Sequence, residues 1–363
     1  MSLWVIKIGT SLLRGDSKRS TQDIICGFCE SIAKSKKRGD KIVLVTSGAV
    51  GLGCIKLHLK ERPKDLVTLQ AAAAIGQVEL MNLYASAMEK YDLQIAQVLL
   101  TRSDLSTKGA YRNASLTLNK LLEMNVLPII NENDSLSPEE LKYGDNDTLS
   151  ALLASAIKAD QLILLTDIDQ LYSSDPRKHQ EAKPISEVMN TMELLSLEEQ
   201  NSSCGEWGTG GINTKLSAAR IATDSGIKVQ LADGRKSSIL DGLLKGSRGG
   251  TVFHANPQPL ASRKSWLAHA IKPLGDIYID IGASRAIQKN GASLLLVGII
   301  KIEGKFLSNQ PVRVINIKGK VLAKGLVSMS SEELRNALQR KLTQDKSPVV
   351  IHRDLLVLTS EEK

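Results

Sequence analysis

Through roughly the first 250 residues, short apolar runs alternate with longer amphipathic stretches, and this alternation restricts the fold more than any other feature of the chain. Leu3 to Ile8, Ile42 to Val45, Leu93 to Leu99, Val126 to Ile130, Gln161 to Leu165 and Lys228 to Leu231 read as strands. Thr21 to Lys37, Leu66 to Lys90, Ala110 to Glu123, Thr148 to Ala156 and Asn213 to Asp224 read as helices. Strands that alternate with helices predict right-handed crossovers and a mostly parallel sheet covered on both faces. No fixed-period repeat suggests a solenoid instead.

The pattern breaks at His254 to Pro259, H-A-N-P-Q-P, where two prolines interrupt it. From Asp276 onward the runs are short and β-rich: Ile277 to Ile281, Leu294 to Val297, Val312 to Ile317, Val321 to Leu326 and Val349 to Ile351. One helical stretch, Ser331 to Gln339, stands among them. A chain of 363 residues accommodates two domains, and the boundary predicts an α/β domain over 1–256 and a small, mostly β domain over 272–363.

Charge separates the two parts. The net charge is +8, of which residues 272–363 carry +6 from 15 basic and 9 acidic residues, leaving +2 for the rest. Such an excess suits an anionic partner without choosing among nucleotide, nucleic acid and membrane surface. Apolar runs such as Ala292 to Ile300 fall well short of the roughly 18 residues of a membrane helix, and Lys7 interrupts the first apolar stretch too early for a signal peptide. The expected location is cytoplasmic. Cys26 and Cys29 form a C-x-x-C, but no second pair or nearby H-x-H accompanies it. Within the amphipathic Thr21 to Lys37 stretch, two small buried thiols is the simpler reading.

Six segments concentrate polar chemistry. The first strand, V-I-K-I-G-T-S, places Lys7 among apolar residues directly before Gly9-Thr10-Ser11. A lysine there is costly unless its ammonium meets an anion or it snorkels from an edge strand. The second strand ends in T-S-G-A-V-G-L-G, Thr46 to Gly53, a glycine-rich turn into a helix whose amides can cradle oxygens. It matches neither G-x-x-x-x-G-K-[ST] nor G-x-G-x-x-G. I-N-E-N-D-S and Y-G-D-N-D-T-L bring Asn131, Glu132, Asn133, Asp134, Asp145, Asn146 and Asp147 into two loops. That density exceeds what helix capping needs and suits a zwitterionic small molecule. The fifth strand ends at Thr166-Asp167. W-G-T-G-G-I-N-T-K-L then opens a helix with Lys215 one turn inside, an arrangement for an anion.

In this order and spacing, V-I-K-I-G-T-S, V-L-V-T-S-G-A-V, P-I-I-N-E-N-D, G-D-N-D-T-L-S-A, L-L-T-D and G-T-G-G-I-N-T-K resemble the amino-acid kinase family, specifically its branch that phosphorylates L-glutamate. The tail, through D-I-Y-I-D-I-G-A, G-A-S-L-L and V-V-I-H-R-D, is similar to the PUA domain. The resemblance implies a three-layer sandwich around a mostly parallel sheet, followed by a PUA-like domain. It implies transfer of the γ-phosphoryl group of ATP, with Mg2+, to the side-chain carboxylate of L-glutamate, the first step of proline synthesis. Carried over residue by residue, Lys7, Asp147 and Lys215 are the expected catalytic group, with Asp147 holding both ammonium groups. Ser47, Asp134 and Asn146 are expected to bind glutamate. Lys7, Thr166, Asp167, Thr209, Gly210, Gly211, Ile212, Asn213, Thr214 and Lys215 are expected to bind ATP. No protein metal ligand is implied. Family members are commonly inhibited by proline and assemble as dimers or tetramers. Two rival readings remain: a related kinase acting on N-acetylglutamate, aspartate, carbamate or UMP, against which I-N-E-N-D-S and the tail argue; and RNA binding by the basic tail, which lacks an aromatic stacking platform.

Overall fold

The computed structural model describes residues 1–15, 17, 19–136, 146–174, 176, 179, 181–202, 211–339 and 347–359. The chain divides into two compact units, Met1–Pro259 and Leu260–Lys363. Strands of the first unit are β1 (Leu3–Ile8), β2 (Lys41–Val45), β3 (Ile95–Leu100), β4 (Leu127–Glu132), β5 (Gln161–Thr166), the two-residue β6 (Leu171–Tyr172), β7 (Pro184–Ile185) and β8 (Glu187–Val188), β9 (Lys228–Asp233) and β10 (Thr251–Phe253). Its helices are α1 (Thr21–Lys37), α2 (Ala49–Lys56), α3 (Leu66–Glu89), α4 (Arg102–Ser106), α5 (Lys108–Glu123), α6 (Asn146–Ile157), α7 (Thr191–Ser202), α8 (Ile212–Asp224) and α9 (Ile239–Leu244).

Eight strands form one sheet in the order β3-β4-β2-β1-β5-β9-β10-β8. Pairings from β3 across to β9 are parallel, and β10 runs antiparallel to β9. β1 is therefore a central strand, which removes the edge-strand reading of Lys7. Its side chains alternate between two faces. Trp4, Ile6 and Ile8 enter a core with Ile25, Phe28 and Ile32 of α1 and Leu80, Tyr84 and Met88 of α3. Val5 and Lys7 consequently face the opposite side, where α6 packs on β1 and α8 packs on α6.

Helix α1 begins where a reciprocal cap forms. The Asp23 amide donates to Ser20 Oγ at 3.1 Å and the Ser20 amide donates to Asp23 Oδ2 at 2.9 Å. Lys34, Lys36 and Lys37 occupy its last turn, where the helix dipole favours cations. Only Cys29 of the two expected buried thiols joins the core, where burial pushes its thiol up and Cys26 adds to the effect; Cys26 itself is half-buried. α3 reaches the length and apolarity of a bilayer span by those two measures alone. Leu69, Leu80, Tyr84 and Met88 nevertheless bury one of its faces in the α/β unit.

The second unit holds α10 (Ser262–Ser265), β11 (Gly275–Ile279), α11 (Ile281–Asn290), β12 (Leu294–Leu295), β13 (Ile299–Gly304), β14 (Pro311–Ile315), β15 (Val321–Leu326), α12 (Ser331–Gln339), β16 (Val349–Ile351) and β17 (Leu356–Leu358). A five-stranded sheet, β13-β11-β14-β15-β17, and a β12-β16 pair enclose a separate core that includes Ile277, Ile279, Val312, Val314, Leu322 and Val350. Three sequence expectations change here. The strand expected to reach Ile281 stops at Ile279, because Asp280 Oδ1 accepts from the Ala283 amide at 2.7 Å and starts a helix. α11 is thus a second helix beyond Asp276, closed by Gly291 in the left-handed region at φ 57°. The strand expected over Leu294 to Val297 ends at Leu295, and pairing resumes at Ile299.

Candidate active site

The carboxyl ends of β4, β2, β1, β5 and β9 lie side by side, and a cavity of about 940 Å³ opens over them. Strand order reverses at β1, and the crevice beyond such a reversal is where open α/β sheets bind ligands.

Lys7 stands one residue before the end of β1 with its side chain only 8% exposed. Asp147, the second residue of α6, meets it: Lys7 Nζ lies 2.6 Å from Asp147 Oδ1. Lys215, in the first turn of α8, donates from Nζ to Asp147 Oδ2 at 3.2 Å. Thr214 Oγ1 donates to the same oxygen at 3.0 Å. Burial opposes ionisation of Asp147, but the charges and hydrogen bonds of Lys7 and Lys215 outweigh it and hold the carboxyl well below the usual carboxylate range. The helix N-terminus favours the anion too. Two ammonium groups share one carboxylate, so the trio carries one more positive than negative charge at neutral pH. Such a group, fixed before any ligand arrives, is suited to an anion.

On the β2 and β4 side, the chain leaves β2 through Thr46 and Ser47 and turns at Gly48, whose φ of 98° costs glycine little. Asn146 Nδ2 donates to the Thr46 carbonyl at 2.8 Å, to Ser47 Oγ at 2.9 Å and to Asn131 Oδ1 at 3.1 Å. An amide nitrogen only donates, so Ser47 Oγ accepts at that contact and its own proton points elsewhere. The turn is braced from behind: a Cβ on Gly76 of α3 would collide with the Ala49 carbonyl oxygen and the Gly53 nitrogen of α2. Asp134 lines both this cavity and a smaller one of about 410 Å³ beside α3.

On the β5 and β9 side, Thr166 is buried and its hydroxyl donates to Asp167 Oδ1 at 3.1 Å. Arg235 grips Asp233 with two parallel bonds, Nε to Oδ1 at 2.8 Å and Nη2 to Oδ2 at 2.9 Å, and lines the cavity from beyond β9.

The structure therefore brings Lys7, Ser47, Asp134, Asn146, Asp147, Thr166, Asp167 and Lys215 around one cavity. Gly211, Ile212, Asn213 and Thr214 are not among its lining residues: Ile212 is buried in the core, Asn213 is exposed, and Thr214 reaches the site through Asp147. Thr209, Gly210 and Asp145 lie outside the described residues. Sequence reasoning assigned no role to Arg235, nor to Gln77 and the Thr46 carbonyl that orient the amides. Among the described residues no group of three or more His, Cys, Asp or Glu side chains could hold a metal ion.

In the second unit two of the three aromatic rings are buried. Trp266 and Phe306 are buried, the Tyr278 hydroxyl donates to Glu303 Oε2 at 3.0 Å, and Lys301 Nζ stands 5.3 Å from the Tyr278 ring centroid. Burial takes Trp266 and Phe306 away from base stacking.

Comparison with known proteins finds relatives of both units. The sequence model of the amino acid kinase family matches residues 2–233, and that of the PUA domain matches residues 275–345. A glutamate 5-kinase of Prochlorococcus marinus (strain MIT 9313) is 61% identical over 358 residues, covering 99% of both chains. A glutamate 5-kinase of Synechococcus sp. (strain CC9605) is 57% identical over 360 residues, covering 99% of this chain and all of that one. Among solved structures, a carbamate kinase from Giardia lamblia bound to AMP-PNP aligns with a TM-score of 0.51 at 17% identity, covering 70% of this chain and 99% of that one, a likeness of fold. A match over most of the chain, with relatives this similar along its length, means that the protein belongs to the amino acid kinase family.

Proposed function

We propose that this protein transfers the γ-phosphoryl group of ATP to the side-chain carboxylate of L-glutamate, giving L-glutamyl 5-phosphate for proline synthesis. The observation that carries the reading is the Lys7–Asp147–Lys215 cluster, set between an amide- and hydroxyl-lined wall and the Thr166–Asp167 wall of one cavity. The high identity to glutamate 5-kinases selects the acceptor.

Glutamate's side chain, with an ordinary pKa near ~4.3, is already ionised at neutral pH and needs no general base. A carboxylate oxygen attacks the γ-phosphorus, the bond to the β–γ bridging oxygen breaks, and ADP leaves with that electron pair; no proton moves. Lys7 and Lys215 neutralise charge on the transferring group and the leaving oxygen. Asp147 stays ionised throughout and keeps the two ammonium groups apart at fixed positions. Ser47, which accepts from Asn146, presents its proton to a carboxylate of the acceptor, and Asp134 takes the α-ammonium. Thr166, Asp167 and residues 209–215 hold the nucleotide. Mg2+, held mainly by phosphate oxygens and water, would supply further charge neutralisation.

The decisive experiment incubates the pure protein with ATP, Mg2+ and hydroxylamine, which traps the acyl phosphate. γ-Glutamyl hydroxamate should form from glutamate. Turnover on N-acetylglutamate, aspartate, carbamate or UMP with none on glutamate would replace this assignment. Cytoplasmic location, inhibition by proline and assembly into dimers or tetramers belong to the same reading; a proline titration and sedimentation of the pure protein test the last two.

A further inference from the structure

We infer that Gln77, which does not line the reactant cavity, is a positioning residue that sets the acceptor wall through a chain of three amides. The inference deepens the glutamate reading and rests on it. Gln77 lies on α3 and is buried, as are Asn131 and Asn146. Asn131 Nδ2 donates to Gln77 Oε1 at 2.8 Å, Asn146 Nδ2 donates to Asn131 Oδ1 at 3.1 Å, and Asn146 Nδ2 also reaches Ser47 Oγ at 2.9 Å.

Backbone groups fix the polarity of this chain at two points. The Thr46 carbonyl only accepts, so the Asn146 group 2.8 Å from it is the nitrogen. The Glu132 amide only donates, and it donates to Asn131 Oδ1 at 2.9 Å, so the far side of Asn131 presents its nitrogen to Gln77. Flipping Asn131 would set its NH2 against two donors, the Glu132 amide and Asn146 Nδ2. Asn131 therefore depends on an acceptor at residue 77, and Gln77 Oε1 is that acceptor.

Gln77 Nε2 is buried without a hydrogen-bond partner. An unpaired buried donor is costly, and α3 otherwise buries mainly apolar side chains here, among them Leu69, Ala72, Ala73 and Leu80. The glutamine contributes its acceptor, at the cost of one unpaired donor. Loss of that acceptor frees Asn131 to tilt, loosens Asn146 and turns the Ser47 proton away from the acceptor carboxylate. The nucleotide wall, two strands away across β1, does not share this chain.

The test compares Gln77→Met, near in shape but without the acceptor, with Gln77→Glu, which keeps an acceptor oxygen. Gln77→Leu replaces Gln77→Met should that variant not fold. Steady-state kinetics on the full chain should show glutamate KM raised about tenfold in Gln77→Met, the loss of roughly one hydrogen bond. Its kcat and ATP KM should stay within about twofold, and glutamate KM of Gln77→Glu should stay within about threefold of the parent. An unchanged glutamate KM in Gln77→Met, a proportional rise in ATP KM, or an equal defect in Gln77→Glu overturns the role. No glutamate turnover by the parent protein, by contrast, removes the substrate reading and this inference together.

Discussion

Lys7 Nζ sits 2.6 Å from Asp147 Oδ1, although the two residues enter from different elements, the end of β1 and the start of α6. Strand alternation sends Lys7 to the face that α6 covers, and the α6 N-terminus delivers the carboxylate to it. Removing either partner from a buried pair leaves an uncompensated charge, so each substitution has a distinct expected signature.

Lys7→Ala should lower kcat by roughly 100-fold or more while changing glutamate KM little, because charge on the transferring group is greatest in the transition state. Steady-state kinetics with both substrates varied measures the split. A change confined to KM would assign Lys7 to binding rather than to the chemical step.

Asp147→Asn should weaken the fold by about 3–5 kcal/mol at neutral pH, since two buried ammonium groups lose their shared anion. The pH dependence follows in sign. Burial opposes the charge but Lys7 and Lys215 lower the folded-state pKa of Asp147 below its ordinary 3.8. Its contribution to stability is then fully present above that value and is lost as pH falls through the folded-state value. Denaturant titrations from pH 7 down to pH 3 should lose stability in the acid range more steeply for the parent than for Asp147→Asn. Parallel curves would mean that the carboxyl titrates alike in both states.

Gly76→Ala should raise glutamate KM and destabilise the protein by about 1–3 kcal/mol, the range for overpacking a tight contact. The added methyl would meet the Ala49 carbonyl oxygen and the Gly53 nitrogen, so α2 must shift, and with it the Ser47–Gly48 turn. Thermal unfolding and glutamate KM together check this; a lower Tm with unaltered KM would separate the helix contact from the site.

Deletion of residues 260–363 should leave phosphorylation of glutamate largely intact. Every residue assigned to the reaction lies in the Met1–Pro259 unit, and each unit has its own apolar core. A folded truncated chain with no activity would show that the second unit takes part in catalysis.

Lys7, Asp147 and Lys215 were legible in the sequence because each breaks a local pattern: a lysine in an apolar strand, a carboxylate among loop amides, a lysine after Thr-Gly-Gly. The β-rich tail was legible as a class, but α11 was not, since Ile277 to Ile281 reads as one apolar run. The signals lay in Asp280 and Gly291, a cap at each end of a helix with little apolar content. Gln77 carried no such signal. A glutamine inside a helix reads as a good helix former on a surface, and its partner Asn131 lies 54 residues away on β4. The Thr46 carbonyl is hidden for the same reason: its partner Asn146 is 100 residues away.

The order of strands in the main sheet has a bearing on how such an enzyme can be changed. In the proposed reaction, acceptor groups follow β2 and β4, nucleotide groups follow β5 and precede α8, and β1 separates them with one lysine. Neighbouring strands are about 4.8 Å apart, so the two flanks answer to different stretches of chain and to different helices. Substitutions on one flank can retune which carboxylate is accepted while the other keeps its grip on the triphosphate. Acceptor choice and energy source are, in this layout, separately adjustable.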